Sequence, residues 1–290
     1  CLVGSEMCIR DSRTRKGRVG VKVQVANDTD KEQKVRVQAL MTDPKGVDPV
    51  GETAPLVIPP HSTGEVDIPL VISNVKPWSP DDPNLYTLSV EVWNAAGGNN
   101  AKNPAHLLDN RSMRVGVRTV EITEKGLVLN GSLFPEKLIG GNRHQDFARL
   151  GNAVPNNLQW QDAVKLRKAG MRVIRSAHYP QDPAFMDACD ELGLFVIVNT
   201  PGWQFWNEAP IFAERVYSDI RNMVRRDRNH PSVWMWEPIL NETWYPAEFA
   251  KNVVNILKEE YPYPYCYAGC DVTALGHEYF PVQFLSLIHI

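Results

Sequence analysis

The 290-residue sequence has little cysteine, no surplus of either charge and no long apolar run, and each shortage excludes a class of protein. No stretch approaches the roughly 18–20 consecutive apolar residues of a membrane helix. With 31 basic residues against 34 acidic ones, the net charge of −3 lacks the basic surplus of a nucleic-acid-binding surface. A composition of 43% hydrophobic and 22% charged residues sets aside collagen-like and disordered chains. The length suits one large domain or two smaller ones, enough to bury a real core.

Both ends read as foreign to the fold. Leu285-Ser286-Leu287-Ile288-His289-Ile290 back-translates to CTG TCT CTT ATA CAC ATC. The reverse complement, read one base in, encodes Met-Cys-Ile-Arg-Asp and then begins a Ser or Arg codon, which is Met7-Cys8-Ile9-Arg10-Asp11-Ser12. One DNA element read on opposite strands, similar to the transposase mosaic end of sequencing libraries, accounts for both. Residues 1–12 and 285–290 are therefore expected to be adapter-derived and are left out of the folding argument. Three cysteines then remain, Cys189, Cys266 and Cys270. An odd, widely spaced set is no disulfide framework, and CxxxC alone is a weak metal signal. Cys189 falls on a helical pattern and reads as packed.

Residues 13–122 read as all-β. Val19–Val25, Val35–Ala39, Val66–Leu70, Tyr86–Val92 and Met113–Val117 alternate apolar and polar side chains, with Gly, Pro, Asn and Asp between them. Short strands at near-regular spacing predict a sandwich of about seven strands. Prolines 55, 59, 60, 77, 80 and 83 are expected between strands, where a missing N–H costs no ladder bond.

From residue 123 to 284 the rhythm changes to strand and helix in alternation. Strands are predicted at 138–140, 171–175, 194–198, 232–236 and 265–268. The helices between them run through Leu158, Ala163 and Leu166, from Asp182-Pro183 to Leu192, from Pro210, and from Pro246. Asp182 reads as a cap and Gly193 as the C-terminal stop. Leu194–Val198 is a continuous apolar run, as a parallel strand buried on both faces requires. The alternation predicts a (β/α)8 barrel, here holding five or six of its eight strands.

In such a barrel, polar residues just past the strand C-termini face the active site. That rule selects Asn142, Arg143, His144, Gln145 and Asp146; then Arg175, Ser176, His178 and Tyr179; then Asn199, Gly202, Trp203, Gln204, Phe205 and Trp206; then Asn241 and Glu242. A carboxyl, imidazoles, a guanidinium and indoles on one rim suit a polyhydroxylated ring, gripped at its hydroxyls and stacked at its C–H faces. Singly, each has a blander reading as a structural hydrogen bond or as core.

The segments Leu129-Asn130-Gly131, Gly141-Asn142-Arg143-His144-Gln145-Asp146, Arg175-Ser176-Ala177-His178-Tyr179-Pro180, Cys189–Leu194, Arg226–Ser232 and Asn241-Glu242 occur in that order. Together they resemble glycoside hydrolase family two, and Pro77-Trp78-Ser79-Pro80, Pro83-Asn84-Leu85-Tyr86 and Val115-Gly116-Val117-Arg118 resemble that family's immunoglobulin-like β-sandwich domain and its exit into the barrel. That family comprises β-galactosidases, β-glucuronidases and β-mannosidases. The likeness covers nearly all of residues 13–284 and is nearest the β-galactosidase branch, through the His144 and His178 contexts. It implies retaining hydrolysis of terminal β-D-galactosides by two carboxyl groups. Glu242 is then the general acid/base, and Asn241 binds the sugar 2-hydroxyl. His144, Asp146, His178, Tyr179 and Trp203 are substrate-binding residues, and Arg175 orients carboxylates.

Two departures from the family pattern stand out. The family nucleophile is a second Glu, some tens of residues beyond Asn-Glu. The later acids outside the terminal adapter are Glu248, Glu259, Glu260, Asp271 and Glu278, and none is at the expected place. No nucleophile is therefore assigned in this chain, which alone is expected to be inactive. Many β-galactosidases also place an Asp-Glu pair on strand three, whose Glu serves a magnesium ion. Val198-Asn199 stands there, so no cofactor or metal is expected and a magnesium requirement is doubtful. Trp236-Glu237-Pro238-Ile239-Leu240-Asn241 is one residue longer than the common pattern, so Glu237 is a second candidate for the pocket. The implied partner is an oligosaccharide or glycoside, with no nucleic acid or membrane, and homo-oligomerisation is open to the full-length protein. The rivals are glucuronide or mannoside specificity, and a non-catalytic carbohydrate-binding or scaffold protein.

Overall fold

The structure is a computed structural model that describes residues 2–11, 16–95, 106–263, 266–269 and 274–283. The described chain forms two compact units, one of residues up to Trp78 together with Asn84–Thr119, the other of Ser79–Pro83 together with the chain from Val120.

The first unit is the expected sandwich. Its strands are β1 (Leu2–Asp11), β2 (Lys16–Asn27), β3 (Gln33–Thr42), β4 (Val50–Ile58), β5 (Ser62–Ile72), β6 (Tyr86–Asn94) and β7 (Leu107–Val115). They make an antiparallel sheet of order β1-β2-β5 and another of order β4-β3-β6-β7. The two-residue period sets the core: Val19, Val21 and Val23 of β2, Val37 and Ala39 of β3, and Leu88 and Val90 of β6 are fully or almost fully buried, and their neighbours point outward.

One sequence expectation needs correction here. Pro55 lies inside β4, not between strands, as Pro69 lies inside β5. Both strands are sheet edges, so a proline nitrogen can face away from the ladder. Residues 2–11, expected to be adapter-derived, pair along β2 as β1. An open sheet edge accepts any extended segment through its backbone groups, so that pairing carries no information about the origin of the residues.

The second unit opens with an antiparallel meander, β8 (Val120–Thr123), β9 (Gly126–Leu129) and β10 (Ser132–Leu133). Then come β11 (Gly140–Asn142), α1 (Asn156–Lys168), β12 (Val173–Arg175), α2 (Pro183–Leu192), β13 (Phe195–Asn199), α3 (Pro210–Asp227), β14 (Val233–Glu237), α4 (Ala247–Glu260), β15 (Ala268–Gly269) and β16 (Val282–Gln283). Strands β11 to β14 are parallel neighbours in order. A bridge from Trp236 to Tyr267 carries the succession on towards β15, which pairs in parallel with β16. Six consecutive parallel strands make this part of a barrel wall.

Local chemistry explains the elements. The Asp182 carboxylate accepts from Ala184 N (2.8 Å) to cap α2, and Gly193 ends it in the left-handed region (φ 67°). All five residues of β13 are buried, as its apolar run requires. The helices turn Phe185, Ile220, Val224, Phe249 and Val253 onto the strands in one core. β11 starts two residues later than expected, at Gly140, which lies hard against β12, where a Cβ would meet Val173 O at 1.8 Å. Cys189 is buried in that core, which pushes its thiol up; Cys270 lies outside the described residues.

Candidate active site

The first four barrel strands each end on a polar residue: Asn142, Arg175, Asn199 and Glu237. Asn142 is in register with Arg175, and Asn199 with Glu237, so these ends lie on one rim. Arg175 forks onto Glu237, with Nε donating to Oε2 (2.6 Å) and Nη2 to Oε1, and Nη2 also donates to Asn241 Oδ1 (2.9 Å). Glu237 is wholly buried. Burial pushes its carboxyl up, opposed by the Arg175 guanidinium and a hydrogen bond from Asn199.

Asn241 and Glu242 follow β14. Asn241 is buried, and Glu242 is half-buried in the left-handed region (φ 49°). The loop after β13 crosses to them at Gln204, itself left-handed (φ 57°). Gln204 donates its backbone N–H to Asn241 O (3.0 Å) and its side-chain amide to Glu242 Oε2 (2.7 Å). Strained non-glycine backbone at two partners that face each other is a mark of a functional site. The loop is held by Trp206, whose ring packs edge-on against Phe212 and Phe249. That anchoring leaves Trp203 45% and Phe205 58% exposed.

The imidazoles join the same rim. His144 and His178 meet at 5.9 Å between ring centroids, His144 lies 6.3 Å from Tyr179, and His178 lies 5.2 Å from Trp203. His178 is held down to about 4 by burial, then by the positive Arg175 and by His144, with the Glu242 carboxylate pulling the other way. It is thus neutral near pH 7, and its buried Nδ1 has no hydrogen-bond partner among the described residues. The Tyr179 hydroxyl accepts from Gln145 N (2.8 Å), a strut between the first two loops.

Of the residues selected from sequence, Arg175 meets Asn241, and Gln204 meets both Asn241 and Glu242, through hydrogen bonds, and His144, His178, Tyr179 and Trp203 meet through ring contacts. Asp146 is exposed, and in the favourable orientation of the Asn152 amide it accepts from that residue of its own loop (2.8 Å). Arg143 leaves the rim altogether. It turns into the helical layer, donating to Asp162 (2.6 Å), Gln159 (2.8 Å) and Gln181, and lies 3.9 Å over the Phe185 ring. Sequence reading underrated Glu237; the signal was the extra residue between Trp236 and Asn241. Trp244, two residues past Glu242 and 78% exposed, was not singled out at all.

The donors beside Asn199 do not fit a magnesium ion. Asn199 is neutral, and both Glu237 oxygens are held by a guanidinium whose positive charge a cation would have to meet. Elsewhere among the described residues, Asp187, Asp190 and His230 form a cluster of ligating types, at the opposite end of β14. His230 donates to Asp190 (2.6 Å), and although burial opposes charge, Asp190 raises its pKa to about 9.

A parallel barrel wall, preceded by a β-sandwich and carrying a carboxyl, paired imidazoles and open indoles on its C-terminal rim, defines the class: a parallel α/β-barrel protein with a polar, aromatic rim. Comparison with known proteins narrows this. Residues 120–263 match the family described as "Glycosyl hydrolases family 2, TIM barrel domain", and residues 9–118 match "Glycosyl hydrolases family 2". The chain belongs to glycosyl hydrolase family 2. A β-galactosidase of Thermoanaerobacter pseudethanolicus is 37% identical over 187 residues, 64% of this chain and 24% of that protein. A putative β-glucuronidase of Formosa agariphila is 29% identical over 250 residues, 84% of this chain and 28% of that protein. The crystal structure of a putative β-galactosidase from Bacteroides fragilis superposes with a TM-score of 0.81 at 24% identity, covering 97% of this chain and 41% of that one, and shares the fold. The chain thus spans about a quarter of the length of these curated relatives.

Proposed function

We propose that this chain is the acid/base-bearing part of a retaining glycoside hydrolase that removes terminal β-D-galactosyl groups. One observation carries the reading: Asn241-Glu242, the His144–His178 pair and the open face of Trp203 share one rim, with Gln204 and Arg175 holding the first pair in place. Glu242 gives a proton to the glycosidic oxygen as the bond to the anomeric carbon breaks, then takes one from the water that releases the sugar. Gln204 holds Oε2, which leaves Oε1 for the departing oxygen. Asn241 binds the 2-hydroxyl, His144, neutral His178 and Asp146 bind other hydroxyls, Tyr179 props the first two loops, and Trp203 stacks on a C–H face. No cofactor or metal takes part in this reading.

A retaining mechanism needs a second carboxyl about 5–5.5 Å from the first. Glu237 cannot attack while Arg175 holds both its oxygens. Glu259 and Glu260 are paired with Arg221 and Arg225 on the helices, Glu248 lies on α4 and Glu278 in a short 3-10 turn, and Asp271 lies outside the described residues. The chain alone is therefore expected to release no product. The longer coverage by the Formosa agariphila relative supports a second reading, β-glucuronidase specificity.

The test is a panel of nitrophenyl β-galactoside, β-glucuronide and β-mannoside on the enzyme encoded by the complete reading frame. Galactoside turnover is expected to dominate, and Glu242→Gln is expected to lower it by about 10³-fold. Full activity in that variant would contradict the assignment of Glu242, and a rate from the isolated chain that Glu242→Gln abolishes would contradict its expected inactivity.

A further inference from the structure

Glu237 is a buried acid for which the proposed reaction has no use. It has no access to solvent, and a carboxyl in that position is costly unless a partner compensates it. Its partner is Arg175, through both oxygens, and the same guanidinium nitrogen that meets Oε1 also donates to Asn241 Oδ1. Asn199, in register with Glu237 across β13 and β14, adds a hydrogen bond to the carboxyl. The arrangement is a relay of fixed direction: carboxylate, guanidinium, amide oxygen.

An asparagine amide has two nearly equivalent faces, one accepting and one donating. A donor placed permanently at Oδ1 removes that ambiguity and leaves Nδ2 as the group that can be offered to a ligand. Without Glu237, Arg175 loses the fork that fixes its position, and the contact that selects the orientation of the Asn241 amide is weakened.

We infer that Glu237 is a positioning residue that acts through Arg175 to orient the Asn241 amide, so that its N–H group meets the sugar 2-hydroxyl. The inference rests on the proposed hydrolase reading. It assigns the extra acid of the Trp236–Asn241 segment a task that neither proton transfer nor fold stability covers. Hydrogen bonds to the 2-hydroxyl strengthen as the transition state forms, so misorientation of this amide lowers kcat more than it raises KM.

The experiment uses the full-length enzyme, its Glu237→Gln and Glu237→Asp variants, and two substrates, a nitrophenyl β-galactoside and its 2-deoxy analogue. Glu237→Gln keeps the volume but loses the charge that holds the fork. It is expected to lower kcat on the galactoside by about 10²-fold and to lower 2-deoxy turnover far less, collapsing the discrimination between the two. Glu237→Asp, which keeps the charge, is expected to restore part of that discrimination. An equal loss on both substrates, or no loss on either, overturns the inference. If Glu237→Gln does not yield folded protein, Arg175→Lys is read by the same ratio, since it keeps a positive charge without the fork. The two proposals fail separately. If the wild-type enzyme turns over neither substrate, or Glu242→Gln stays active, the hydrolase reading fails; turnover without discrimination in the wild type, or discrimination unmoved by Glu237→Gln, sinks only the relay.

Discussion

In the sandwich, β2, β3 and β6 turn every second side chain inward, and Asn27 is the one buried polar side chain of that unit among the described residues. Its amide is fully used, donating to Lys31 O, Ile58 O and Pro59 O. Among its described residues the barrel unit buries 12 polar side chains, including Arg143, Asp190, Asn199, Glu237 and Asn241. A buried polar group costs free energy unless its bonds are satisfied, so it persists where packing alone cannot do the task. The contrast separates two kinds of order. Apolar alternation holds the sandwich together; at the barrel rim, satisfied polar networks set directions.

The sharpest test of that contrast is Leu88→Ala in the sandwich. It removes a fully buried side chain from a central strand and is expected to cost about 3 kcal/mol, read as a lowered denaturant midpoint. Binding at the barrel rim, followed by tryptophan fluorescence with galactose, is expected to be unaffected while the chain stays folded.

The barrel unit is expected to respond to alkali instead. His230 has its pKa raised from 6.5 to about 9 beside Asp190. A raised histidine stabilises fully below its unfolded value, and that stability is lost as pH rises through the folded value. The contribution is roughly 3 kcal/mol, lost between about pH 6.5 and 9. Thermal melts from pH 6 to 10 should show the loss, and His230→Gln should flatten it. A melt already flat in the wild type would break the comparison, since it would mean that this network is worth no more than surface charge.

The smallest effect is expected from Asp182→Ala, which removes the cap of α2 and costs about 1 kcal/mol. It should lower the melting temperature slightly and leave the rim contacts of Gln204 and Arg175 intact. Together the three variants rank core, network and cap.

Much of this was legible in the sequence because local rules govern it. Asp182-Pro183 and Gly193 bound α2 as their backbone preferences dictate, and the run Leu194–Val198 anticipated a strand buried on both faces. Pro55 misled because whether a strand is an edge depends on which neighbours it finds. Gly140 misled because its strand is fitted against Val173, 33 residues away in sequence. In the site, residue types at strand ends were enough to collect His144, Arg175, His178, Trp203, Asn241 and Glu242. They were not enough to reject Arg143, whose side chain follows Asp162, Gln159 and Gln181 into the helices.

By itself the sequence determined where strands alternate, where helices start and stop, and which family of barrels the ordered motifs belong to, since periodicity, capping and motif order act over a few residues. Only the tertiary structure decided the directions of the long polar side chains. Arg143 follows β11 and Arg175 ends β12, yet one braces helices and the other forks onto a buried acid. A guanidinium on a flexible stem goes to whichever carboxylate the surrounding elements bring within reach, and that depends on packing between segments far apart in the chain.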